Sequence, residues 1–198
     1  QAQGVRVICY FSAGSAENWR SDHSRFSPED LGHPLDGWEG ERWLDTRSAN
    51  VRQVMRERMA LAAAKRCDAV EPDNVDAHAN ASGFALSDAT QLDYNRFLAR
   101  EAHALGLAVG LKNDVGQLSD LVAAFDFAVN EQCHQFDECR VYTVFTGVGK
   151  PVFNTEYAGR WVDDAGERAA LCLSARAAQL RTLVLPVALD GSFRYSCD

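Results

Sequence analysis

Cys67-Asp68-Ala69-Val70-Glu71-Pro72-Asp73-Asn74-Val75-Asp76 is the stretch on which the fold turns. A short apolar run, 68–70, passes directly into acidic residues, and the two-residue alternation of an extended chain puts Glu71 and Asp73 on one side. Pro72 withholds an amide donor, so the ladder is expected to end there and free the next residues for a loop. Similar transitions recur along the chain. Apolar runs at 5–11, 107–111, 127–129 and 151–153 end on Tyr10, Ser12 and Gly14, on Lys112, Asn113 and Asp114, on Asn130 and Glu131, and on Glu156 and Tyr157; a sixth run lies at 183–185. Such runs read as strands buried on both faces.

Helical patterns separate most of these strands. Val51, Val54, Met55 and Met59 follow the 3.6-residue period over 51–65, and Tyr94, Phe97, Leu98, Ala102 and Leu105 follow it over 88–105. Gly106 is placed to end the second of these helices. Shorter helices are predicted at 117–124, 138–146 and 165–180. Strand and helix in alternation predict an α/β fold with a parallel sheet. Acidic residues that repeatedly follow the strands favour a (β/α) TIM-type barrel, whose sites lie at the carboxyl ends of its strands. Six of the eight strands of such a barrel are evident, so it is expected to be incomplete, as one catalytic domain over 1–198.

The 198 residues carry a net charge of -8 and a pI near 5.1. That balance argues against nucleic acid or an anionic membrane as the partner, because both reward stripes of Lys and Arg. No apolar run approaches the roughly 20 residues needed to span a bilayer. Cys9, Cys67, Cys133, Cys139, Cys172 and Cys197 contain no CxxC pair and no zinc-like spacing, which favours disulfides and an oxidising, extracellular location. Cys133 and Cys139 can staple one loop and Cys172 can reach Cys197, while Cys9 and Cys67 fit either a bridge or two buried thiols. No signal peptide is visible, so a secreted protein is expected to be mature in this form. Asn80-Ala81-Ser82 permits glycosylation.

Asp73 is the leading catalytic carboxylate, against the plainer role of Asp73 and Asn74 in an Asx-turn. Glu131 is the second, set between an apolar strand and the Cys133 loop. Two carboxyl groups flanking a glycosidic bond can divide the work of protonating the leaving oxygen and attacking the anomeric carbon. Tyr10, Ser12, Glu71, Asn74, Asp76, Lys112, Asn113, Asp114, Asn130, Glu156 and Tyr157 are candidate substrate contacts. Lys112 can hold a neighbouring carboxylate ionised, or form a buried ion pair with Asp114 or Glu131 without a catalytic role. Trp19, Trp38, Trp43 and Trp161 lie in loop-like contexts and can stack on sugar rings, although a tryptophan is more often core. A metal-assisted enzyme with Glu71, Asp73, Asp114 and Glu131 as oxygen ligands is a competing reading, and a non-catalytic sugar-binding domain is a third.

VICYFSAGSAENWR at 7–20, WLDTR at 43–47, CDAVEPDNVDAHANASGFALS at 67–87, YNRFLAREAHALGLAVGLKND at 94–114 and FDFAVNEQCHQFDEC at 125–139 together give a specific pattern. With GKPVFNTEY at 149–157 and LDGSFRYSC at 189–197 it covers nearly the whole chain. The pattern resembles glycoside hydrolase family 114, the endo-α-1,4-polygalactosaminidases. The resemblance implies a (β/α)8 barrel and a secreted enzyme that cuts α-1,4-linked galactosamine in polymers such as galactosaminogalactan, with no metal or organic cofactor. It places the catalytic pair on Asp73 and Glu131, with Asp73 as nucleophile and Glu131 as general acid/base of a retaining reaction. A partly deacetylated galactosamine polymer is cationic, in accord with an acidic chain. Relatives carry a further section with two strands before VICYFSAG; without it, exposed barrel edges are expected to favour self-association.

Overall fold

The computed structural model describes residues 4–198, and these cluster into two compact units, one running to Phe125 and the other Asp126–Asp198. The first contains β1 (Ile8–Ser12), β2 (Ser15–Glu17), β3 (Leu31–Pro34), β4 (Glu41–Leu44), α1 (Ala49–Ala64), β5 (Ala69–Asp73), α2 (Asp88–Ala104), β6 (Ala108–Lys112) and α3 (Leu118–Leu121). The second contains β7 (Phe127–Glu131), α4 (Thr143–Thr146), β8 (Val152–Glu156), α5 (Gly159–Asp163), α6 (Ala165–Ala177), β9 (Leu180–Val184) and β10 (Tyr195–Ser196).

In the first unit β5 lies between β1 and β6 and runs parallel to both. The ladder does not stop at Pro72: β5 stays in register with β1 through Phe11↔Pro72 and Ser12↔Asp73. The amide that proline lacks belongs to the β6 side of the strand, because the neighbouring Asp73 carbonyl turns toward β1 and accepts from Ala13 N and Gly14 N at 2.8 and 3.0 Å. On the β6 side the register pairs Ala69↔Ala108 and Val70↔Val109, short of the proline. In consequence Glu71 and Asp73 are strand residues of fixed direction.

The predicted amphipathic helices form where their periods put them. Val51, Val54, Met55 and Met59 of α1, and Tyr94, Phe97, Leu98 and Ala102 of α2, are buried. Leu105 is 42% exposed, because it caps α2 beyond the last buried turn. Ser48 and Ser87 cap the two helix starts by accepting from Val51 N and Thr90 N. Arg66, Gly106 and Gln179 take left-handed φ of 62°, 73° and 60° just beyond α1, α2 and α6, which turns the chain back into the next strand. The helix expected over 117–124 is a 3-10 turn, Val115–Gln117, followed by α3, and that over 138–146 is a 3-10 turn, Cys139–Tyr142, followed by α4.

Between β1 and α1 the chain folds a three-stranded antiparallel sheet in the order β2-β4-β3, which no apolar run announced. Trp43 lies in β4 and Trp161 in α5, and both are core residues (7% and 5% exposed), so neither is in a loop or able to stack on a sugar.

In the second unit β7, β8 and β9 are parallel and β10 pairs antiparallel with β9. β8 and β9 are not buried on both faces. Val152, Asn154 and Glu156 are buried while Phe153 is 38% exposed, and Leu180, Thr182 and Val184 are buried while Arg181 is exposed. The buried row is partly polar: Asn130, Asn154 and Thr182 are register partners across the three strands. Thr182 Oγ1 donates to Asn154 Oδ1 at 2.9 Å, and Asn154 Nδ2 donates to Asn130 Oδ1 at 2.9 Å, so the row satisfies itself.

Disulfides join Cys9 to Cys67, Cys133 to Cys139 and Cys172 to Cys197. The first ties β1 to the residue that leads into β5, which resolves the choice between bridge and thiols. No helix among the described residues is long and apolar enough to cross a membrane.

Candidate active site

The carboxyl end of β5 gathers the predicted residues of the first unit. Glu71 and Asp73 point the same way, and Lys112 at the end of β6 reaches both, with Nζ 3.1 Å from Asp73 Oδ2 and 3.7 Å from Glu71 Oε1. Lys112 is 4% exposed. Its ammonium supplies beside these two carboxylates the positive charge that a metal ion would otherwise bring. The other Asp73 oxygen, Oδ1, accepts the Asn74 backbone N–H at 2.7 Å.

That last bond depends on an unusual backbone. Asn74 has φ of 58°, in the left-handed region that asparagine tolerates better than most residues. Its amide nitrogen Nδ2 donates to Ser12 Oγ at 2.9 Å and to Ser15 Oγ at 3.3 Å. Ser15 passes its own proton to Glu41 Oε2 at 2.6 Å, so Ser12 is the donor in the 2.6 Å bond between the two hydroxyls. Gly14 completes the cradle: a Cβ there would stand 1.6 Å from the Asn74 carbonyl oxygen. Ser12 and Ser15 are fully buried and hold Asn74 in place.

Tyr10 is 48% exposed, and its hydroxyl lies beside the Asp73 carboxylate. Burial of the hydroxyl, followed by the charges of Asp73 and Glu17, raises its pKa far above the usual phenol range. Glu17 and Glu41 are register partners on β2 and β4, 3% and 6% exposed. Arg20 answers Glu17 with bonds of 2.7 and 3.0 Å, whereas burial raises the pKa of Glu41. Sequence reading missed Ser15, Glu17 and Glu41 as neighbours of Asp73. The only local signal was alternation in two short strands whose pairing is not visible in sequence.

Asp76 and Asp114 form a second acidic group. Burial and then the charge of Asp73 raise the pKa of Asp76. Burial and then the charge of Asp76 raise that of Asp114 to about 7. Asp114 is 3% exposed; its Oδ2 accepts from Asn95 Nδ2 at 2.8 Å, and its Oδ1 is buried with no hydrogen-bond partner among the described residues. Asn113 and Asp114 both take φ of 47° directly after β6, a backbone form concentrated at functional sites.

In the second unit Glu131 ends β7, and the Tyr157 hydroxyl donates to its Oε1 at 2.6 Å. Asn130 is fully buried; its Oδ1 accepts from Cys133 N at 3.0 Å and its Nδ2 donates to the Tyr142 hydroxyl at 2.8 Å. Glu156 is also fully buried, its Oε1 accepting from His134 N at 2.8 Å and from Asn154 Nδ2 at 3.1 Å, and burial raises its pKa. The donor atoms of Cys133, His134, Cys139 and Glu156 lie within 4.8 Å of one another. The two sulfurs are bonded to each other, and without thiolates the remaining His and Glu are too few to hold a metal.

Carboxylates, a buried lysine and left-handed turns at the carboxyl ends of parallel β/α strands define a site of the barrel-enzyme type. The chain matches the profile of glycoside-hydrolase family GH114 over residues 1–198, and it belongs to that family. Among solved structures it is similar to Ega3 of Aspergillus fumigatus in complex with galactosamine, at 42% identity and a TM-score of 0.93, over 100% of this chain and 80% of that one. It shares its fold with the glycoside hydrolase domain of PelA from Pseudomonas aeruginosa, at 15% identity and a TM-score of 0.70, over 96% of this chain and 82% of that one. No curated protein matches. The protein is thus a glycosidase with a TIM-barrel-like α/β fold.

Proposed function

We propose that the chain is a secreted, endo-acting glycoside hydrolase that cleaves α-1,4-linked galactosamine polymers, and that 1–198 acts as one catalytic domain. The observation that carries this reading is the likeness, over the whole chain, to a family relative solved with galactosamine. An acidic chain and three disulfides agree with a cationic polymer met outside the cell.

In this reading Asp73 is the nucleophile and Glu131 the general acid/base. Asp73 forms a bond to the anomeric carbon as the glycosidic C–O bond breaks, and Glu131 gives its proton to the departing oxygen. Glu131 then takes a proton from water, whose oxygen displaces Asp73 with net retention. Lys112 and Asn74 N–H orient Asp73 and offset its charge, and Tyr157 orients Glu131. Tyr10, Glu71, Asp76 and Asn113 belong to the substrate side, whereas buried Ser12, Asp114, Asn130 and Glu156 serve as supports. Self-association through β1, which among the described residues pairs only with β5, is part of the same proposal.

The test is the size distribution of a soluble galactosamine polymer during digestion. Endo cleavage gives an early fall in mean chain length with few monomers. Release of monomer alone, or no new reducing ends, overturns the reading.

A further inference from the structure

The three-stranded sheet between β1 and α1 ends in two turns that lie side by side. Arg20 N donates to Glu17 O at 3.1 Å, which puts Asn18 and Trp19 at the tip of one turn. Glu41 N donates to Trp38 O and Trp38 N donates to Leu35 O, both at 3.2 Å, which fixes Trp38 in the other. Asn18 N joins the two by donating to Gly40 O at 3.0 Å. Gly37 and Gly40, with φ of 78° and 88°, supply the left-handed turns that carry Trp38 out of the sheet.

Trp19 is 57% exposed and Trp38 60%, whereas Trp43 and Trp161 are core. A single exposed aromatic is ordinary, but two exposed indoles on turns joined by a backbone hydrogen bond call for an occupant. The rings are accompanied by the exposed carboxylates of Asp36 and Glu39, while Arg20 is engaged by Glu17 and Arg42 by the Leu31 and Gly32 carbonyls. The edge thus offers indole faces with negative charge beside them. Its segment begins at the rim of Asp73, where Ala13 N and Gly14 N bond the Asp73 carbonyl.

We infer that Trp19 and Trp38 form a binding platform for a cationic amino-sugar chain, outside the catalytic carboxylates. Indole faces take the apolar C–H faces of pyranose rings and attract protonated amines, tryptophan being the best ring for a cation, and Asp36 and Glu39 favour a polycation over a neutral glycan. This inference rests on the amino-sugar reading of the function. The platform holds a long substrate while cleavage proceeds elsewhere on the chain.

The test is calorimetric binding of a soluble, deacetylated galactosamine polymer to Asp73→Asn protein, which does not consume the ligand on the reading above. Trp19→Ala and Trp38→Ala, each made in that background, are expected to weaken binding by about 2- to 5-fold, with Trp→Phe restoring part of the loss. Unchanged melting temperatures show that the fold persists. If the double alanine variant binds as tightly as its parent while the unsubstituted chain cleaves the polymer, the platform is overturned and the enzymatic reading stands. If the parent does not bind and the unsubstituted chain does not cleave, both fall.

Discussion

Lys112 Nζ lies 3.1 Å from Asp73 Oδ2, joining the ends of two adjacent parallel strands through a lysine that is almost wholly buried. The desolvated ammonium depends on Asp73 and Glu71 as much as they depend on it. Lys112→Met leaves two partly buried carboxylates without this charge, at a cost of roughly 3 kcal/mol. Denaturant unfolding should register that loss, and polymer turnover should fall roughly 100-fold because Asp73 loses its electrostatic anchor. A variant with unchanged turnover would show the pair to be structural only.

Gly14→Ala tests the cradle around Asn74. The added methyl meets backbone at 1.6 Å, and neither chain can step aside without moving the N–H that Asp73 accepts. Destabilisation of about 1–3 kcal/mol is expected, with a larger relative loss of turnover than of folded protein. Comparison of thermal midpoint with specific activity separates the two effects.

Tyr157→Phe removes the 2.6 Å hydrogen bond to Glu131 Oε1 and keeps the ring. A bond to a carboxylate contributes about 1.5 kcal/mol at the low end, or about tenfold in rate if it is needed to orient Glu131. Steady-state kinetics should show the fall in kcat with KM little changed.

Asp114→Asn should make stability less dependent on pH. The Asp114 pKa of about 7 in the folded chain is above the unfolded value, so the folded state binds the proton more tightly. The stability it contributes is fully present below the unfolded pKa near 3.8 and is lost as pH rises toward 7. The change across that window is at most about 4 kcal/mol. Unfolding free energies measured at pH 5 and pH 8 should therefore converge in the variant, whose new amide oxygen can still accept from Asn95 Nδ2 as the Asp114 carboxylate does.

The parallel strands and the main helices were legible because apolar period and strand-end acids reflect local chemistry: Val54, Met55, Phe97 and Leu98 are buried where periodicity puts them. Pro72 misled because a strand can tolerate a missing donor on the side where its ladder has ended, and that side is a tertiary fact. Glu17 and Glu41 escaped because they meet only when β2 and β4 pair across a long loop. The four tryptophans were indistinguishable in sequence, and only packing separates the exposed Trp19 and Trp38 from the buried Trp43 and Trp161.

Reducing-end release from a galactosamine polymer by Asp73→Asn and Glu131→Gln, compared with the unsubstituted chain, bears most directly on the proposed catalytic pair. Each variant should fold normally by circular dichroism and release no detectable ends, a loss of roughly 10²- to 10⁴-fold or more, as expected when an acid/base group or nucleophile is removed. Cleavage near the unsubstituted rate by either folded variant would contradict the assignment.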